Sequence, residues 1–307
     1  MRRKTIQNAA DMKRMTLQEA TDRFIKHCKV KNLREQTIAY YVEDCNYFAA
    51  HTEAEYIDEV TYELLEDFVF QEIENGKKVS SLNTRIRGLR VFFNFCADRE
   101  YMEGFKFPLL KEDKEIKETY TDAEIKRLVA RPRTASWVEW RMWAAVNYMV
   151  ATGNRISTVI NVRIRDINFE ESTIHLTTVK NRKQQIIPMS KALKSVLKDY
   201  LKTWEHSIDD YLFPSYEGKQ LVRRSFQCAL VRYNVSRGVT KTSAHLFRHY
   251  YAKNFILAGG GMAQLQALLG HSTLEMTRQY VNIYALDIQK NYENLNPLDT
   301  FLKRAAS

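Results

Sequence analysis

A chain of 307 residues, 45% hydrophobic and 12% aromatic, is a globular protein with room for two domains that each bury a core. No apolar run approaches the roughly 20 residues that cross a bilayer. The basic start Met1-Arg-Arg-Lys leads into no apolar stretch, so neither a membrane span nor a secretory leader is expected. The net charge of +10 points instead to a polyanionic partner.

That charge is unevenly placed. Residues 1–112 hold 18 Lys and Arg against 19 Asp and Glu, and the remainder holds 29 against 18. Eleven acids and no Lys or Arg fall between Glu35 and Asn75; the next stretch carries Lys77, Lys78, Arg85, Arg87 and Arg90 with no acid. One face is then acidic and solvated, and the other is a basic stripe suited to a phosphate backbone. A basic surface with no partner is the bland alternative. Cys28, Cys45, Cys96 and Cys228 are scattered singly and are expected to be buried free thiols of a reducing cytoplasm, not a metal site or disulfide framework.

In chain order, residues 1–15 are a tail and residues 16–108 read as all-helical. Thr16-Leu-Gln-Glu19 has the form of a capping box and opens the first helix. Thr37 to His51 is the second, with Ile38, Tyr41, Val42, Cys45 and Phe48 at three- and four-residue steps. Tyr62 to Asn75 is the third, stopped by Gly76. Ser80 to Arg99 is the fourth, with Leu82, Ile86, Leu89, Phe92, Phe93 and Cys96 on its core face and Arg85, Arg87 and Arg90 toward its other side. The helical pattern lapses from Lys106 to Thr119, where charges alternate, and 109–118 reads as a linker.

A second domain spans 119–284. Thr121-Asp-Ala-Glu124 is another capping box, and the apolar run Trp137–Ala151 is a buried helix that delivers the chain to Gly153 and Arg155. Arg155 follows a Thr-Gly break, near the start of a short helix and suited to an anion. Ile164–Phe169, Thr173–Val179 and Gln184–Pro188 alternate as a small three-stranded antiparallel unit, with Lys180 at its second turn and Lys183 as the local competitor. Helices are expected at Lys191–Trp204, Arg223–Arg237, Ala244–Leu257, Met262–Leu269 and Leu274–Asn282. Gly259-Gly-Gly261 lacks the Gly-Lys-Ser/Thr of a nucleotide loop, so no nucleotide is expected. The class is mainly α, with a small antiparallel sheet in the second domain.

The chemistry concentrates in the last third. His245-Leu-Phe-Arg248-His249, Leu268-Leu-Gly270-His271-Ser and Thr277-Arg-Gln-Tyr280 supply an imidazole, a guanidinium, a second imidazole and a phenol. Arginine offers a planar fork of donors to phosphate oxygens, histidine donates or moves a proton near neutrality, and an activated phenol attacks phosphorus. No carboxylate stands among these groups to hold a metal; Glu275 reads as a helix surface residue.

His-x-x-Arg-His, Leu-Leu-Gly-His-Ser and a Tyr nine residues after that second His resemble the tyrosine recombinases, or phage integrase family. Ala151-Thr-Gly-Asn-Arg155-Ile-Ser157 looks like the family's first arginine motif, and the Lys180 hairpin like its lysine hairpin. The resemblance implies a small helical (SAM-like) core-binding domain followed by a catalytic domain that closes with it around duplex DNA. It implies that Tyr280 attacks the scissile phosphate to give a 3′-phosphotyrosyl link, with Arg155 and Arg248 on the non-bridging oxygens. Lys180 would protonate the 5′-oxygen, His245 assist deprotonation of Tyr280, and His271 donate to a phosphate oxygen. The bond energy is held in the covalent link, so no cofactor, ATP or metal is implied. Residues 285–307, with an apolar segment after Pro297, resemble the tail that family members dock on a neighbouring protomer in a homotetramer on DNA. Many relatives carry an acid where this chain has Thr158, which puts the support of the site in question. Only about 15 residues precede the first helix, so no arm-site domain is expected and a compact Xer-like or mobile-element recombinase is favoured, placed in the cytoplasm at the nucleoid. A type IB topoisomerase-like enzyme, which shares the Arg-Lys-Arg-His-Tyr set, and a catalytically silent DNA-binding protein are the alternatives.

Overall fold

The computed structural model describes residues 14–112, 119–176, 185–271 and 273–278, with a few later positions (292, 296–298 and 301). The chain divides into two compact units, Met1–Glu115 and Ile116–Ser307.

The first unit is built from α1 (Leu17–Val30), α2 (Glu35–Ala50), α3 (Tyr62–Glu74) and α4 (Val79–Asp98). The capping box forms as expected: Glu19 N–H donates to Thr16 Oγ1 and Thr16 N–H to the Glu19 carboxylate, both at 3.1 Å. Gly76 ends α3 with a left-handed φ of 75°. Phe24, Phe48, Phe68, Phe92 and Phe93 bury together in tilted and edge-on pairs, such as Phe48 with Phe93 at 5.3 Å. Each such ring removed from water contributes about 1.5–3 kcal/mol, so these aromatics are core and not base-stacking platforms. The connector departs from expectation at its start. Phe107 is buried in this core, Leu109 and Leu110 pack on it, and Asn83 holds Leu110 by both its carbonyl and its N–H at 3.1 and 2.8 Å. The chain to Leu110 therefore belongs to the first unit.

The basic stripe runs from Lys77 and Lys78, just before α4, along that helix, and its members differ. Lys77, Lys78 and Arg87 are exposed, whereas Arg85 and Arg90 are half-buried. Arg85 lies 3.6 Å over the Tyr47 ring and 3.3 Å from Asp44, which is buried. Gly88 makes the room: a Cβ there would stand 2.0 Å from Asp44 Oδ2. Arg85 is thus committed inside the unit, and Arg87 is the exposed arginine of α4. The thiols also split: Cys28, Cys45 and Cys96 are buried, but Cys228 is exposed, because it falls on the outer face of its helix.

The second unit contains α5 (Asp122–Leu128), α6 (Trp137–Thr152), α7 (Ile156–Val159), α8 (Lys191–Leu201), α9 (Arg223–Ser236), α10 (Ala244–Leu257), α11 (Met262–Leu269) and α12 (Leu274–Arg278). It also holds an antiparallel sheet of β1 (Ile167–Asn168), β2 (Thr173–Leu176) and β3 (Gln185–Pro188), in that order. The first strand is shorter than the alternation implied, since Ile164–Asp166 coils into a 3₁₀ turn that Asp166 closes on the Arg163 N–H. Helix α6 is largely apolar and buries Trp143 through Val146, Tyr148 and Met149 while packing on α8, α9 and α10. Among the described residues, no helix is long and apolar enough to cross a membrane.

Burial is the largest influence on Asp44; it outweighs the opposing Tyr40 and Arg85 and pushes the carboxyl up to about 6. An unfolded Asp ionises near 3.9, so the folded unit binds the proton more tightly, and stability falls as pH rises from about 4 through 6. Hydrogen exchange of the α2 and α4 amides should show native protection dropping by roughly 2 kcal/mol over that window relative to Asp44→Asn. Equal pH dependence in the two proteins would contradict this.

Candidate active site

The site is built where three chain segments meet: the end of α6, the start of α10 and the end of α11. At the first, Thr152 Oγ1 bonds back to Tyr148 O at 2.7 Å and the Asn154 side chain holds the Tyr148 hydroxyl at 3.1 Å. Between them Gly153 caps α6 with φ 62°. A side chain there is excluded twice over: the backbone is left-handed, and a Cβ would lie 2.6 Å from the Tyr251 ring and 2.9 Å from Leu269. The reversal makes Arg155 the N-cap residue of α7, half-buried and accompanied by the helix's first N–H groups. Thr158, the departure from the family's acid, is buried; its N–H closes this turn on Arg155 O at 2.8 Å.

Helix α10 supplies His245 in its exposed first turn and Arg248 one turn later, only 1% exposed. Arg248 Nη1 donates to Gly153 O at 2.9 Å and Nη2 to Leu269 O at 2.8 Å. These carbonyls end α6 and α11, so the guanidinium is held between the negative ends of two helix dipoles. The His271 ring lies against it, with Nε2 2.5 Å from Nη2.

That contact fixes the protonation of His271. A guanidinium has no lone pair to offer, so Nε2 must accept. The ring proton then sits on Nδ1 and donates to Thr277 Oγ1, 2.9 Å away and fully buried. Burial first, then the charges of Arg248, Arg155 and His245, drive the imidazole down to about 3, so it is neutral across the working range. Where a donor to phosphate is expected of His271, its Nε2 here accepts from Arg248 and its Nδ1 faces Thr277. His249, buried, touches His245 edge-on at 4.9 Å, the packing role expected of it.

Arg155, His245, Arg248 and His271 therefore share one electrostatic neighbourhood. Lys180 and Tyr280 lie outside the described residues, as do Lys183 and most of the tail. Two functional candidates escaped sequence reasoning. Thr277 is a hydroxyl three residues after Leu274 on α12, and Gln185 opens β3; only a buried polar position on a short helix signalled the first. Among the described residues, no group of three or more His, Cys, Asp and Glu is placed to hold a metal.

Residues 118–286 match the phage integrase family, and residues 21–100 match the phage integrase N-terminal SAM-like domain. The chain belongs to the phage integrase family. Its relatives are tyrosine recombinases. Tyrosine recombinase XerC of Roseiflexus sp. is 25% identical over 285 residues, covering 87% of this chain and 90% of that protein. Tyrosine recombinase XerD of Shewanella oneidensis is 22% identical over 278 residues, covering 87% and 92%. A tyrosine recombinase of Pseudothermotoga lettingae is 26% identical over 281 residues, covering 88% and 94%. Among solved structures, the Tn1549 transposon integrase in complex with transposon right end DNA shares the fold with a TM-score of 0.76 at 19% identity, covering 95% of this chain and all of that one. A lambda integrase tetramer bound to a Holliday junction gives 0.71 at 16% identity, covering 88% and 78%.

The neutral His271 is measurable. Its ring nitrogens should keep the neutral, Nδ1-protonated NMR pattern from about pH 8 down to 5. An unfolded His ionises near 6.5, so this group's share of stability is present above that pH and lost as pH falls below it. A midpoint for His271 near 6.5 in the folded protein would contradict the assignment.

Proposed function

We propose that this protein is a site-specific DNA recombinase that cuts and rejoins duplex DNA through a covalent link to Tyr280. The observation that carries the reading is the convergence of Arg155, Arg248, His245 and His271 about one centre, in a chain of this family. A phosphate diester in flight gains negative charge, and fixed cations that need no reorganisation stabilise it.

Arg155, with its side chain partly in solvent, meets a non-bridging oxygen, and Arg248 supports the same charge from beneath. The Tyr280 oxygen forms the bond to phosphorus as the bond to the 5′-oxygen breaks. Lys180 delivers the proton that the departing alkoxide needs, and exposed His245 receives the phenol proton. The new 3′-phosphotyrosyl ester preserves the energy of the broken bond, so a 5′-hydroxyl from a second duplex reverses the step without ATP. In the first unit, Lys77, Lys78 and Arg87 reach the DNA backbone, with Arg90 beside them. Arg85 acts through Tyr47 and Asp44 to hold α4 in place. Exposed Leu298 and Phe301 support a tail that docks on a second protomer, as a homotetramer on the recombination site requires. The topoisomerase-like and silent-binder readings receive no comparable support.

A nicked duplex carrying the recombination site tests this. Covalent protein–DNA product should form, vanish in Tyr280→Phe, and fall by about 10²–10³ in Arg155→Ala. Two duplexes should exchange strands at one sequence. Trapping that survives Tyr280→Phe, or relaxation of supercoils without exchange, would overturn the proposal.

A further inference from the structure

We infer that Gln185 is a positioning residue for strand cleavage, setting the turn that carries His271 and, through it, Arg248; this rests on the active-site reading above. Gln185 opens β3, five residues beyond Lys180 in sequence. Its Nε2 donates to Ala267 O at 2.5 Å and to Leu268 O at 2.9 Å, more than 80 residues away along the chain. The next carbonyl, Leu269 O, receives Arg248. The side-chain donors to the last carbonyls of α11 are thus a carboxamide and the catalytic guanidinium, beside the Gly270 N–H that also reaches Ala267 O.

That division explains why a carboxamide suits the position. A helix end leaves carbonyl groups without intrahelical donors and concentrates partial negative charge there. Nε2 carries two N–H groups, one for each of the two carbonyls. Gly270 completes the fit: it is left-handed, φ 62°, and a Cβ on it would stand 2.9 Å from Gln185 Oε1. The turn is closed from its other side by Gln266, whose side chain donates to His271 O at 3.2 Å. Without the Gln185 amide, water replaces the donor at Ala267, which is exposed, but water does not fix where the turn sits. The Gly270 N–H still reaches Ala267 O and the His271 N–H still reaches Gln266 O, but the turn that presents Leu269 O and His271 to Arg248 is no longer tied to β3 through Leu268 O. The consequence falls on the rate of cleavage, with folding and DNA affinity spared.

The test compares Gln185→Glu, Gln185→Lys and Tyr280→Phe in the full-length protein. The measurements are single-turnover covalent product on the nicked duplex, equilibrium binding of the same duplex, and thermal melting. Glu keeps the shape and loses both donors; Lys restores a donor toward the helix end. The inference predicts cleavage slower by about tenfold or more in Gln185→Glu and within about threefold of wild type in Gln185→Lys, with binding and melting alike in both. Wild-type cleavage by Gln185→Glu, equal slowing in the two variants, or slowing that tracks lost binding or melting temperature overturns it. Covalent product from Tyr280→Phe would instead show that the active-site reading itself is at fault.

Discussion

The catalytic unit depends on one buried cation. Arg248 is almost wholly out of solvent, and its described partners are carbonyl oxygens at two helix ends and an imidazole lone pair. Burying a guanidinium costs several kcal/mol unless dipoles replace water around it. The ends of α6 and α11 supply those dipoles. The same contacts that solvate the charge also fix which way the fork of donors faces, so folding and catalytic geometry are set together.

Several otherwise unrelated features follow from holding that charge. Gly153 is there because the α6 carbonyl reaches Arg248 only if the chain turns through a left-handed residue pressed against Tyr251 and Leu269. His271 is neutral because it is buried beside the Arg248 charge, from which its Nε2 accepts, and Thr277 accepts from its Nδ1–H. Thr158 in place of the family's acid leaves the cluster assembled: the α7 turn closes through backbone hydrogen bonds to Arg155 O. In the first unit the logic is repeated on a smaller scale, where half-buried Arg85 on α4 meets buried Asp44 and a glycine at 88 leaves space for the carboxylate.

Much of this was legible in the sequence, and for definite reasons. Thr16 and Thr121 announced helix starts because a hydroxyl with a Glu three residues on satisfies two end groups at once. The periodic apolar faces of α1 to α4 and the bounds of α10 and α11 were readable because burial follows the helical repeat. Arg155, Arg248, His245 and His271 stand out by motif spacing, yet nothing in the spacing says that Arg248 is buried or that His271 accepts. Those facts depend on the Gly153 carbonyl, 95 residues away in the chain, and on the Leu269 carbonyl, 21 residues away. Arg85 read as a phosphate ligand because a basic run does not reveal which member meets a buried acid. Ile164–Asp166 read as strand because a 3₁₀ turn closed by Asp166 leaves the same alternation. Cys228 read as buried because a lone thiol gives no sign of which helix face it takes.

The most direct test of the central claim is the melting of Arg248→Lys followed by tryptophan fluorescence. Trp137, Trp140, Trp143 and Trp204 all lie in the second unit, so the signal reports that unit alone. An ammonium keeps the charge but cannot span Gly153 O, Leu269 O and His271 together. The account predicts a melting temperature lower by roughly 5–10 °C. An unchanged melting temperature would mean that the guanidinium does not hold the unit together, and would contradict it.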